Sequence, residues 1–73
     1  MTLDKVKQGQ TAKIVRINGD GAIHQRLLDM GITKGTEVYI ERYAPLKDPI
    51  HITVKGYSLA LRIAEARMIE ITV

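Results

Sequence analysis

The sequence predicts a small, mainly β domain: a partly open barrel of five short strands, with one short helix after the first strand and a helical turn before the last. Three observations carry this. Ten Ile, five Val and six Thr fill 21 of 73 positions, and such side chains fit a pleated, half-buried surface. Apolar and polar residues alternate with a period of two through most of the chain. One stretch, residues 21–30, changes to helical spacing.

The elements follow in order. Residues 12–17 form a first strand, but Ile14 and Val15 are both apolar, so it is either covered on both faces or bulged. In residues 21–30, Ile23, Leu27 and Met30 recur at spacings of four and three, which sets them on one helical face. Asp20 is placed as N-cap or first-turn acid. Gly31 falls where a left-handed residue ends a helix, with Ile32 positioned for the apolar contact of a Schellman ending. Residues 33–36, Thr-Lys-Gly-Thr, turn into a second strand. There Val38 and Ile40 oppose Glu37, Tyr39 and Glu41, and Tyr39 and Tyr43 share the outer face.

Residues 44–49 form a loop stiffened by Pro45 and Pro49. Ile50, Ile52 and Val54 form the inner face of a third strand. Lys55-Gly56 makes a tight hairpin, expected as a type I turn with a bulge at Gly56 because lysine tolerates positive φ poorly. Tyr57, Leu59 and Leu61 are the inner face of the fourth strand. Residues 63–68 have room for one or two helical turns, and Ile69, Ile71 and Val73 line the fifth strand. The long excursion between the first two strands and the tight hairpins favour an SH3-like barrel over an OB-fold.

Size bounds what such a fold can do. Seventy-three residues make one domain, residues 1–73. Folding would leave roughly 4,500 Å² of about 11,900 Å² exposed, too small an interior for a deep substrate pocket. No cysteine is present, which removes disulfides, thiolate zinc sites and thiol nucleophiles. Apolar runs reach only two or three residues, and the first residues carry no secretory h-region, so a cytoplasmic location without membrane insertion is expected. The net charge of +3 fits ordinary solubility. Lys13, Arg16, Lys34, Arg42, Lys47 and Lys55 are scattered among Glu37, Glu41 and Asp48. Apart from a small stacking platform of Tyr39 and Tyr43, little suits nucleic acid, and none is expected as partner.

Catalytic patterns are absent. Residues 18–21, Asn-Gly-Asp-Gly, lack the Lys-Ser/Thr of a phosphate loop and read as a turn that caps the helix. Ser58 is the one serine, with no histidine at strand spacing. The chain therefore reads as a non-enzyme without a cofactor. His24 and His51 are the only imidazoles; they lie on different elements without metal-ligand spacing. His51 with Asp48, or His24 with Asp20, makes at most a weak surface site for a divalent ion, so no metal centre is expected.

Taken together, Leu27-Leu28-Asp29-Met30-Gly31-Ile32, Lys34-Gly35-Thr36-Glu37-Val38, Ala44-Pro45-Leu46, Asp48-Pro49, Val54-x-Gly56-Tyr57-x-Leu59-x-Leu61-Arg62, Glu65-Ala66 and Ile69 resemble the FeoA family. The resemblance runs from about residue 3 to residue 73, with Gln8 where the family often has proline. It implies an SH3-like barrel without enzymatic activity that serves bacterial ferrous iron uptake. The implied partner is FeoB, a membrane permease with a cytoplasmic GTP-binding domain, which would hold the chain at the inner membrane as a peripheral protein. A similar domain closes iron-dependent repressors of the DtxR type, which supplies an alternative: a metal-responsive regulatory domain acting through His51, His24 and nearby carboxylates.

Candidate contacts are residues without an evident core role. Arg26, Leu28 and Asp29 fall away from the helix stripe, and Pro45, Leu46 and Pro49 form a stiff apolar loop that loses little entropy on binding. The alternative for Leu28 and Leu46 is that they cover the barrel ends. Open strand edges could also pair with a second copy.

Overall fold

In a computed structural model describing residues 1–73, the strands are β1 (Thr11–Ile17), β2 (Glu37–Tyr43), β3 (Ile50–Val54), β4 (Tyr57–Leu61) and β5 (Ile69–Thr72). They form one antiparallel sheet in the order β4-β3-β2-β1-β5. Helix α1 (Gly21–Asp29) follows β1 and the single turn α2 (Ile63–Ala66) precedes β5, as expected. The sheet curls without closing, because β4 and β5 are not paired.

The period of two becomes a core through cross-strand pairs. Val38 lies opposite both Ala12 and Val54, Ile40 opposite Ile52, Ile50 opposite Leu61 and Ile14 opposite Ile71. These residues join Leu3, Val6, Leu27, Ile32, Ala66 and Ile69 in one cluster of 15 buried side chains. The exposed surface is 4559 Å², the area expected for a chain of this length. Tyr57 and Val73, expected on the inner face, are exposed because they stand at strand ends beyond the core. Leu59 is half-buried against it.

Two bulges set where side chains point. In β1 the register shifts between Ile14 and Arg16, leaving Val15 as the extra residue, 44% exposed. The paired apolar residues of this strand are therefore a bulge. In β2 the register shifts between Ile40 and Arg42, and this overturns the expected Tyr39–Tyr43 platform. Past the bulge, Tyr43 lies opposite Ile50 and packs against the core, while Tyr39 stays on the outer face opposite Thr53. The Tyr43 hydroxyl donates to the carbonyls of Val6 and Asp4. Burial, and secondarily the charge of Asp4, raises its pKa above the ordinary tyrosine value.

Helix α1 ends as its sequence indicates. Met30 is the C-cap, Gly31 has φ +87°, Gly31 N donates to Leu28 O at 3.0 Å, and Ile32 N donates to Leu27 O at 3.0 Å. This is the Schellman pair of bonds, and Ile32 is buried beneath it. Asp20 is the N-cap but makes no side-chain cap bond. The expected stripe holds only in part. Leu27 is buried and Met30 packs on the core, whereas Ile23 is 37% exposed. The first turn overhangs the core, and Ile23 lies over Gly19, whose Cβ position would sit 3.3 Å from Ile23 Cγ2.

The β3–β4 hairpin corrects another expectation. Lys55 and Gly56 have φ of +51° and +83°, the signature of a type I′ turn. Its twist matches the flanking strands, and that match outweighs lysine's reluctance to adopt positive φ. The N-terminal segment covers the outer edge of β5: Thr2 bridges Glu70, and Ile71 N donates to Met1 O at 2.8 Å.

Across β1 and β5, Glu70 Oε2 accepts from Asn18 Nδ2 and Arg16 Nε, each at 2.8 Å. The Asn18 bond first, then the Arg16 bond, hold this carboxyl below the usual glutamate range. A depressed folded pKa gives stability that is present above the unfolded pKa and lost as pH falls through the folded one. Glu70→Gln is therefore expected to lose less melting temperature than the wild type as pH falls through and below the ordinary glutamate range. Parallel slopes in the two melting series would refute this.

Candidate functional site

The six candidate contact residues are positioned by α1 and by the loop between β2 and β3. That loop is braced at its neck, with Ala44 N donating to Pro49 O at 3.0 Å and Lys47 N to Ala44 O at 2.6 Å. Lys47 takes a φ of +65°, and the Asp48–Pro49 peptide is cis. Asp48 Oδ1 accepts from Ile63 N at 3.1 Å, which ties the loop to the start of α2. At the tip, Leu46 is 90% exposed, so it covers no barrel end. Pro45 is exposed and Pro49 half-buried. Below the tip a groove of about 350 Å³ is lined by Asp4, Tyr43, Leu46, Lys47, Ile63 and Arg67, among others.

On α1, Arg26 has a structural partner. Its NH1 lies 3.0 Å from Glu65 Oε2, and Glu65, only 6% exposed, also accepts from Arg62 N through Oε1 at 3.0 Å. The one buried carboxylate thereby joins α1 to α2 and caps α2. Asp29 is exposed and accepts from Gln25 Nε2 at 2.9 Å. Leu28 is half-buried and lines a groove of about 220 Å³ with Val15, Ile17, His24, Arg16 and Lys34. Arg26 meets Asp48, Pro49, Ala60 and Arg62 in another depression of about 330 Å³.

Four of the six residues thus fall into three shallow depressions rather than one pocket. Arg26 and Pro49 share one, Leu46 borders a second and Leu28 a third, while Pro45 and Asp29 line none of them. Arg62, Ala60, Arg67 and the bulged Val15 belong to these surfaces but were not singled out from the sequence. Only the ambiguous Ile14-Val15 pair signalled one of them.

The candidate metal residues do not converge. His24 Nδ1 is 3.0 Å from Gly19 O, and Asp48 spends one oxygen on Ile63 N. His51 is half-buried on the outer face of the sheet, between Arg42 and Ala60. No three His, Asp or Glu side chains gather in a metal-holding group. No helix is long and apolar enough to cross a membrane.

Known proteins match this arrangement along its whole length. The Fe(2+) transport protein A/Fe(2+) transporter FeoB fusion protein of Porphyromonas gingivalis is 35% identical over 71 residues, which is 97% of this chain and 8% of the fusion. Iron(II) transport protein A from Clostridium thermocellum superposes with a TM-score of 0.96 at 37% identity, covering 100% of this chain and 45% of that one. The Stenotrophomonas maltophilia FeoA, solved in complex with zinc and described as a prokaryotic SH3 domain protein, has a TM-score of 0.86 at 29% identity over 99% of this chain and 89% of its own. This chain therefore spans less than half the length of the first two of these proteins. The sheet is that of an SH3-like barrel, and the FeoA domain model matches residues 1–73: the chain belongs to the FeoA family.

Proposed function

We propose that this chain is a non-catalytic accessory protein of ferrous iron uptake that binds the cytoplasmic part of a FeoB-type permease by direct contact. The observation that carries the reading is the P. gingivalis fusion, in which a domain 35% identical to this chain is part of one polypeptide with the FeoB transporter. Fusion keeps two domains at high effective concentration, an arrangement that suits partners acting together. The surface agrees with such a role. Leu46 stands exposed on a braced loop, so burying it against a partner would gain apolar contact at small entropic cost.

In this reading Leu46, Pro45 and Pro49 form one contact and Arg26, Leu28 and Asp29 the other. The chain works in the cytoplasm, at the inner membrane through its partner. Leu46→Glu is expected to leave the melting temperature unchanged and to lower co-purification with the permease about tenfold or more. Wild-type capture by the variant would remove Leu46 from the interface, and failure of the wild type to capture the permease would defeat the reading.

A second reading is favoured by one observation, the zinc complex of the S. maltophilia relative. Here the chain would be a metal-responsive domain using His51, His24 or Asp48. Titration with ferrous ion followed by NMR of both imidazoles separates the two readings. Saturable, site-specific shifts on a histidine would favour the metal-responsive domain.

A further inference from the structure

We propose that the open edge of β4 takes an extended, acidic segment of a partner protein as a sixth strand. The proposal rests on the reading that this chain acts through protein contact, and it names the chemistry of one such contact. Two edges bound the sheet, and they are treated differently. The outer edge of β5 is covered by the N-terminal segment through Thr2 and Met1. No strand pairs with the outer edge of β4, and no loop or turn backbone hydrogen bond reaches it.

The hairpin register decides which backbone groups are free. Val54 and Tyr57 close a two-residue loop, and Ile52 pairs with Leu59 and Ile50 with Leu61. In such a ladder Tyr57, Leu59 and Leu61 turn their N–H and C=O groups toward β3. Ser58 and Ala60 therefore present theirs outward, and both residues are exposed. Natural edges are commonly blunted by charge, proline or a bulge. The strand Tyr57–Leu61 reads YSLAL, without a charged residue or proline, and its pairing with β3 runs without a shift.

Charge selects the occupant. At the end of this edge, Ala60 lines the same depression as Arg26 and Arg62. The Arg62 guanidinium makes no ion pair, whereas Arg26 is bound to Glu65. The acid of the depression, Asp48, already accepts from Ile63 N. A strand hydrogen-bonded to Ser58 and Ala60 would bring a glutamate or aspartate side chain within reach of Arg62, where a charge-assisted bond forms. A second copy suits the edge poorly. Antiparallel pairing centred on Leu59 would set Arg62 of each copy opposite Gly56 of the other, and residues 55–62 offer it no carboxylate.

The test uses a short alternating threonine–valine peptide carrying one glutamate, its glutamine counterpart, and the full chain followed by amide NMR. The glutamate peptide is expected to shift and protect the Ser58 and Ala60 amides and to shift the Arg62 side chain. The glutamine peptide and the Arg62→Glu variant are each expected to weaken binding about tenfold. Ala60→Pro is expected to abolish it, because proline removes an outward N–H without breaking a bond to β3; should that variant unfold, Arg62→Glu carries the test.

Absence of saturable shifts, shifts confined to the Leu46 loop, equal binding of both peptides, or a concentration-dependent doubling of mass would each overturn the proposal. Co-purification with the permease keeps the two readings apart. If Ala60→Pro is folded and still captures the permease like wild type, the edge proposal falls while the accessory role stands. If the wild type captures no permease, the accessory reading falls on its own.

Discussion

Leu27→Ala is expected to destabilise the chain by about 3 kcal/mol or more, the usual cost of emptying a fully buried leucine site. Leu27 is the one completely buried side chain of α1, and it carries the helix's attachment to the sheet. A nine-residue helix is marginal in isolation, so the helix and its packing should be lost together. At roughly 0.05–0.15 kcal/mol per residue, total stability is about 4–11 kcal/mol, and the variant would keep only part of it. Urea unfolding should show a lower midpoint with an unchanged slope. Ile23→Ala, in the overhanging first turn, should cost about 1 kcal/mol or less. Equal losses in the two variants would mean that the helix is held by something other than Leu27.

Arg26→Ala carries the second large effect, about 2 kcal/mol. Removing one member of a fully buried pair costs about 3–5 kcal/mol, and the figure is reduced here because the Arg26 side chain is 59% exposed. The variant leaves the enclosed Glu65 carboxylate with the Arg62 N–H as its remaining partner. Glu65→Ala should cost a similar amount, and the double variant should cost clearly less than the sum of the two. Simple additivity in thermal or urea unfolding would show that the two side chains are not coupled. The result also bears on function, because Arg26 is both a candidate contact and part of the frame. Loss of partner capture by Arg26→Ala has meaning only at a temperature where the variant is folded.

Local features were legible where one residue type answers one backbone need. Gly31 at φ +87° ends α1, and the apolar pair Ile14-Val15 marked either a bulge or a strand covered on both faces, which the register resolves as a bulge. The second bulge gave no such sign. Glu41 is polar and so is Arg42, so the alternation of β2 reads equally well with or without an extra residue, and Tyr43 was placed on the wrong face. At Lys55 the local preference was outweighed by the twist of β3 and β4. Leu3 and Val6 enter the core through a 3₁₀ turn, Leu3–Lys5, which is too short for a period to reveal.

The candidate site divides the same way. Leu46 was legible as a loop residue because two prolines bracket it and no strand period claims it, but only the fold shows that it stands exposed and covers no barrel end. The double role of Arg26 was not, since its partner Glu65 lies 39 residues away in sequence. The unpaired edge of β4 depends on strand order, and the meeting of Arg26, Asp48, Ala60 and Arg62 depends on how α1, the β2–β3 loop and β4 come together.

By itself the sequence determined the fold class, the order of elements, the absence of thiol chemistry and the family, because period, caps and turn residues are local and a motif order is linear. The tertiary structure decided which carboxylate pairs with which arginine, which face each tyrosine takes and which sheet edge stays open. These depend on hydrogen-bond register and packing between segments distant in the chain, where a shift of one residue turns a side chain from core to solvent.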